Sequence, residues 1–576
     1  MVGNTLYIYG RIFAILSSFP CCGCLWSLFR GLDKVDIYYC DRGKKKLFSF
    51  KKTYISHCQL YDMLYFCRYC KFSHIIISRY MISFLIALVV LIVGYFVYGK
   101  LVERIFGADG NRVTPAVSRA DGVDFIPLPT WRIFLIQFLN IAGLGPIFGA
   151  IMGVLYGPSA YLWIVLGTIF AGAVHDYLSG MLSLRRGGVS LPEIIGDELG
   201  NGVKQVMRVF SLLLLILVGA VFVVNPAELF SGFTMQYAVG SDGVMPEWLQ
   251  AITDVMPLQW WWIVIVFAYY ILATLLPVDK VIAKCYPIFG FALLFMAVGI
   301  LVMLFFNAHS MPEITDGLHN RHPQASVMPI FPMMFISIAC GAISGFHATQ
   351  SPLMARCLKN ERLGRPVFYG AMVVEGIVAL IWAAAAIAFT GSFEGLSEYL
   401  AENENKPAVL VNDISVGWLG TLGGFLALLG VIFAPITSGD TALRSARLIA
   451  ADFLKFDQST IRNRLIISIP IFALSFVIMM VDFNILWRYF AWSNQTLSVF
   501  TLWAITVWLA RVRKCYWITL IPALFMTVVS VSYIMFAPEG LSLSYSLSVG
   551  IGMAVAVLFV ILFVRFCVKN VNKPAA

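Results

Sequence analysis

Long apolar runs dominate the chain, and polar positions fall between them rather than within them. Residues 81–98, 260–277, 287–306, 368–390 and 547–564 are nearly unbroken stretches of this kind. A helix of about 20 apolar residues crosses the hydrocarbon core of a bilayer. Backbone groups in lipid must bond within their own segment, so helices are the expected spanning form. A β-barrel would alternate over segments of about 10 residues, and no such alternation dominates here. The pattern predicts an all-α polytopic membrane protein with thirteen spans: 82–99, 132–154, 158–182, 206–225, 258–277, 286–306, 329–349, 367–391, 417–437, 465–481, 491–510, 516–536 and 546–568.

Lys and Arg fall on alternate loops. Lys100, Arg104, Arg112, Arg119 and Arg132 follow the first span; Arg185, Arg186, Lys204 and Arg208 follow the third; Lys280 and Lys284 follow the fifth. The loops after spans 7, 9, 11 and 13 are also basic, whereas residues 226–257 hold no Lys or Arg. By the positive-inside rule this places Met81 outside and the C-terminus in the cytoplasm.

Composition agrees with the pattern. Sixty per cent of the 576 residues are hydrophobic and 12% charged, against about 25% charged in soluble domains. The net charge of +10 is uneven: residues 1–80 hold twelve Lys/Arg and four Asp/Glu. Nearly all the excess therefore sits in one segment, and the balance gives no argument for a nucleic-acid partner. That segment also holds seven of the twelve cysteines, with Cys67 and Cys70 two residues apart in between. No second pair at zinc-site spacing follows, so no metal is expected. Residues 1–80 read as a basic, Cys-rich extension, and Met81, which opens directly on a span, as the natural start. The alternative is a basic extension that touches anionic lipid.

Two spans carry residues that lipid disfavours. The second contains Asn140, Gly143, Gly145 and Pro146; the seventh contains Gly341, Ser344, Gly345 and His347. Proline removes a backbone donor and glycine weakens a helix. Gly145, Gly149 and Gly153 also form a GxxxG ladder, which lets helices approach closely. The two spans are five apart and run in opposite directions. This is the spacing of inverted five-helix repeats that each open with a broken helix, the LeuT-like (APC-like) arrangement. Repeat one then covers 132–306 and repeat two 329–510, with 82–99 and 516–568 peripheral. Unwound backbone at such breaks offers N–H groups to an anionic or zwitterionic solute, which makes these eight residues the candidate substrate site.

Ionisable groups inside spans cost energy and often mark function. His175 and Asp176 lie near the inner end of the third span, His347 in the seventh and Glu375 in the eighth. They are candidates for proton coupling or gating. Asp176 has the alternative of pairing with Arg185 or Arg186, and Glu375 that of a structural polar contact. Thr437, Ser438, Asp440 and Thr441 cluster beside Pro435 and Gly439 at the end of the ninth span. They suit ion coordination, or Asp440 caps the next helix. Asn494 and Gln495 read as hydrogen-bonding partners of a neighbouring helix.

The motifs Asn-Arg-Val-Thr-Pro-Ala (111–116), Asp-Gly-Val-Asp (121–124), Leu-Asn-Ile-Ala-Gly-Leu-Gly-Pro-Ile-Phe-Gly-Ala (139–150), Tyr-Gly-Pro (156–158), Phe-Ala-Gly-Ala-Val-His-Asp-Tyr (170–177), Arg-Gly-Gly-Val-Ser-Leu-Pro-Glu (186–193) and Trp-Arg-Tyr-Phe-Ala-Trp-Ser-Asn-Gln-Thr (487–496) resemble the carbon starvation protein (CstA) family. The resemblance covers nearly all of 81–576. It implies a carrier in the bacterial inner membrane that takes up peptides or pyruvate under carbon starvation, with proton coupling.

No P-loop and no GxGxxG opening a helix after a strand occurs, so an ion gradient of protons or sodium, rather than a bound cofactor, is the expected energy source. The absence of His-Glu-x-x-His argues against a zinc protease, and no enzyme activity is expected. A membrane channel or a nutrient sensor is the alternative; no ring of repeated charges suggests a pore.

Overall fold

The computed structural model describes residues 37–41, 44–48, 81–120, 125–239, 244–275, 278–307, 311–458, 460–481 and 483–570. The chain separates into two compact units, residues 1–75 and 76–576. In the first, β1 (Ile37–Asp41) pairs antiparallel with β2 (Lys44–Phe48), Tyr39 opposite Lys46. Cys67, Cys70 and the 121–124 motif lie outside the described residues.

The second unit is helical. In order come α1 (Ile82–Phe106), α2 (Thr130–Ile141), α3 (Leu144–Val154), α4 (Ser159–Leu166), α5 (Ala173–Arg185), α6 (Leu191–Leu199), α7 (Asn201–Ala238), α8 (Glu247–Val255), α9 (Leu258–Leu275) and α10 (Val278–Asn307). Then follow α11 (Ala339–Ala342), α12 (Gly345–Ala355), α13 (Gly370–Thr390), α14 (Pro407–Ala427), α15 (Phe433–Leu454), α16 (Ile461–Ile478), α17 (Phe483–Arg511), α18 (Trp517–Phe536) and α19 (Tyr545–Asn570). Among the described residues nine helices are long and apolar enough to cross a membrane, or eleven if two bent pairs each count as one span. Apolar length therefore supports fewer spans than thirteen. The shortfall has a physical reason: α12 and α17 are polar because they pack against each other and inner helices rather than lipid. By contrast α1 exposes Ile86, Val89, Phe96 and Val97, and α19 exposes Leu547, Val557 and Leu562, the surface a bilayer would cover.

Both expected interruptions are present, each shifted from its expected place. The first lies at Ala142 and Gly143, where α2 and α3 meet at 47°. Gly145 and Pro146 are not at the break but in the first turn of α3, where proline removes no helical hydrogen bond. In the other broken span the chain turns at Ile338, forms the single turn α11, and becomes extended at Ile343 and Ser344 before α12. Gly341 thus sits inside α11, two residues before the extended stretch. Ala142 (φ −83°, ψ 46°) and Ile338 (φ −89°, ψ 40°) share one backbone conformation.

The glycine ladder brings the two broken segments together. A Cβ on Gly145 would lie 2.4 Å from Cys340 Sγ, one on Gly149 2.7 Å from the Ser337 carbonyl, and one on Gly153 2.1 Å from Ile338. Only hydrogen fits at those three points, as GxxxG crossings require.

Two further expectations change. Residues 433–454 form one continuous helix, so Thr437–Thr441 lie within α15 rather than at a break, and Asp440 caps nothing. The inner arginines do not reach Asp176: Arg185 pairs with Glu361 at 2.8 Å, and Arg186 with Glu198 and Asp197.

Candidate functional site

Three of the helices that carry polar residues into the interior are entered through a π-helical turn. Gly167–Gly172 leads into α5, Arg365–Tyr369 into α13 and Leu428–Ile432 into α15. Such turns widen the helix by one residue and recur at functional sites. The first lies against α11: Thr168 Oγ1 donates to the Gly341 carbonyl at 3.0 Å, and a Cβ on Gly172 would lie 2.2 Å from the Ala342 carbonyl.

Just past that turn, α5 presents His175 and Asp176. Asp176 Oδ1 lies 2.8 Å from His175 Nδ1, and Oδ2 lies 2.8 Å from His347 Nδ1 on α12. His347 Nε2 then faces Glu375 Oε2 on α13 at 3.5 Å. All four side chains are fully buried. His347 stands in the first turn of α12, immediately after the extended stretch, so the break places it between the two acids. With Asp176 ionised, both Nδ1 atoms must carry hydrogen, because a carboxylate only accepts. The Nε2–Oε2 contact then has room for one proton, held by the imidazole or by Glu375. Four of the residues singled out in the sequence thus stand in one row, histidine–carboxylate–histidine–carboxylate, across three helices, with hydrogen-bond distances at the first two links and a 3.5 Å ion-pair contact at the third.

Side chains of α17 take several of the hydrogen-bonding groups around the extended stretch. Asn494 Oδ1 on α17 accepts from Ser344 Oγ at 3.0 Å and from the Phe346 N–H at 2.6 Å. Asn494 Nδ2 donates to Cys340 Sγ at 3.2 Å, and Gln495 Nε2 donates to the Ile343 carbonyl at 2.8 Å. Ser344 and Gly345, expected to face a solute, are held by the protein itself; a Cβ on Gly345 would lie 2.4 Å from the Asn494 backbone oxygen. Sequence reasoning gave these amides a neighbouring-helix role without placing it at the break. The signal available was the adjacency of two carboxamides within an otherwise largely apolar span.

The first break differs. Asn140, one turn before it, and Gln137, one turn earlier on the same face, are buried, and neither side-chain amide has a protein partner among the described residues. Buried polar groups are ordinarily satisfied by protein or water. An unpaired pair next to a helix break is therefore where a polar solute or water has hydrogen-bonding groups to meet. Ser438 closes the far side, donating to the Leu139 carbonyl at 3.1 Å and to Ala434 at 3.0 Å. The hydroxyls of Thr437 and Thr441 also donate to carbonyls of α15. Asp440 lies 3.8 Å from Arg444, which donates to the Ala273 carbonyl at 2.9 Å.

Comparison with known proteins adds the following. The sequence model described as carbon starvation protein CstA matches residues 79–240, 232–418 and 408–533. A protein of Haemophilus influenzae known as an uncharacterized membrane protein is 46% identical over 351 residues, 56% of this chain and 94% of its own. The peptide transporter CstA of Campylobacter jejuni is 31% identical over 346 residues, 51% of this chain and 48% of its own. The pyruvate/proton symporter BtsT of Escherichia coli is 31% identical over 353 residues, 52% of this chain and 47% of its own. The chain therefore covers about half the length of these named transporters.

Proposed function

The chain belongs to the carbon starvation protein CstA family, and from that premise we propose that it is a secondary active transporter, driven by protons, for small carboxylate-bearing solutes. Peptides and pyruvate are the solute classes that its named relatives suggest. The observation that carries this reading is the buried relay from His175 through Asp176 and His347 to Glu375. A carboxylate and an imidazole that share one proton in the middle of a bundle can load it in one conformation and release it in another. The relay touches the start of α12, so a change in its protonation acts directly on one of the two broken helices.

In this proposal the solute meets the first break, at Gln137, Asn140 and Gly143, where unpaired amides stand beside interrupted backbone. The broken spans open two inverted five-helix repeats, and thirteen spans cross a bacterial inner membrane with Met81 outside and the C-terminus in the cytoplasm. Alternating exposure of a central site then follows from one set of helices rocking against the other. Uptake of labelled pyruvate and of labelled dipeptides into proteoliposomes, under an imposed proton or sodium gradient, tests the proposal. Accumulation of either compound is expected with the proton gradient. Accumulation driven by sodium alone would replace the coupling ion, and equilibration without accumulation would favour a channel.

A further inference from the structure

We propose that Asn494 is a positioning residue of the proton relay: it fixes the start of α12 so that His347 reaches Asp176 and Glu375 together. This rests on the relay reading above. A helix start leaves backbone N–H groups open, and the residue before it ordinarily closes one with its own side chain. Here that residue is Ser344, and its hydroxyl instead donates to Asn494. The same Asn494 oxygen takes the Phe346 N–H. The cap of α12 is therefore supplied from α17, 148 residues along the chain.

Three contacts make the attachment rigid. Asn494 also donates to Cys340, on the other side of the extended stretch. Gly345 has no room even for a methyl group, since its Cβ would lie 2.4 Å from the Asn494 oxygen and 2.5 Å from the Ser498 nitrogen. His347 is the next residue after Phe346, so a rotation of the helix start changes the 2.8 Å and 3.5 Å contacts of its ring at once.

The groups around His347 are few and named. Asp176 and His175 come from α5, and Glu375 from α13. Cys340 lies across the break. α2 brings the neutral Gln137 and Asn140; α15 brings Asp440 and Arg444, which lie within 3.8 Å of each other. The acids of α6 are all paired: Glu193 with Lys204 and Arg208, Asp197 with Arg186, and Glu198 with Arg186 and Arg511. Asn494 itself is uncharged, so it can affect titration only through geometry.

Gln495 supplies the control. It makes a buried hydrogen bond of the same kind, but to the Ile343 carbonyl, before α12 begins. The test is infrared titration of purified full-length protein, following the carboxyl band that Glu375→Gln removes. Asn494→Ala is expected to move the midpoint of that band by about one pH unit or more, as a changed hydrogen-bonding partner does. Gln495→Ala is expected to leave it in place. If Asn494→Ala does not fold, Asn494→Ser is read in the same way. An unmoved midpoint in the Asn494 variant, or an equal shift in Gln495→Ala, overturns the positioning role and leaves the relay standing. A wild-type protein with no titrating band assignable to Glu375 overturns the relay, and this inference with it.

Discussion

The hydroxyl of Tyr270 donates to the backbone carbonyl of Phe222 at 2.9 Å. That carbonyl is four residues before Pro226, which lies inside α7 and has no N–H to offer it. Tyr270 on α9 therefore replaces the hydrogen bond that proline removes, and Gly439 on α15 leaves space for its ring. Tyr270→Phe leaves a buried acceptor unsatisfied and is expected to destabilise the protein by about 1–3 kcal/mol. Thermal unfolding in detergent measures it; an unchanged midpoint would show that the Phe222 carbonyl finds another partner.

Glycines divide into those that packing requires and those it does not. Gly345 abuts backbone atoms on α17, whereas Gly232, exposed on α7, has nothing within 4 Å of where a Cβ would be. Gly345→Ala is expected to cost about 1–3 kcal/mol through overpacking. Gly232→Ala is expected to stabilise α7 by about 0.5–1 kcal/mol, the helix preference for alanine. Unfolding midpoints of the two variants should move in opposite directions.

Removing the proton-sharing carboxylate should uncouple transport without abolishing it. Glu375→Gln is expected to lower proton-driven accumulation by about tenfold or more, within the usual range of coupling between two bound species, while exchange of labelled for unlabelled solute continues. Parallel accumulation and exchange assays in proteoliposomes separate the two. A Glu375→Gln protein that still concentrates solute along a proton gradient would remove Glu375 from the relay.

Outside the membrane-spanning helices, Glu193 gives a pH dependence of known sign. Partial burial raises the pKa of its carboxyl, but hydrogen bonds from Lys204 and Arg208 outweigh this and hold it below the ordinary glutamate value. A carboxylate whose pKa is lower folded than unfolded adds stability that is complete above the unfolded value, about 4.3. That stability fades as the pH falls through the folded value. Wild-type protein should therefore lose more stability than Glu193→Gln on acidification below that point, and should not differ from it in slope near neutrality. Unfolding midpoints measured across the acidic range check this.

The helical character, the two interruptions and the four buried ionisable residues His175, Asp176, His347 and Glu375 were legible in the sequence. Each rests on a strong signal: apolar length, proline and glycine within a span, and charge where lipid forbids it. What was not legible is which backbone groups at a break are already taken. Asn494 lies about 150 residues from Ser344, and only the packing of α17 on α12 brings its amide to the cap. The span count exceeds what apolar length alone supports for a related reason. A helix surrounded by protein need not be apolar, so hydropathy cannot separate it from a surface segment. The Thr437–Thr441 cluster stood out because proline and glycine sit beside it; Pro435 follows closely on the π-helical turn Leu428–Ile432, and the helix continues through it.

The crossing of α3 with residues 337–340 has a mechanical consequence. Backbone meets backbone there with only hydrogen atoms between, at Gly149 and the Ser337 carbonyl above all. At that point there is no side chain to re-pack, so the two interrupted spans resist sliding past each other there. A rearrangement that opens the centre meets less resistance where these segments lie against α13 and α17 through side chains that can re-pack.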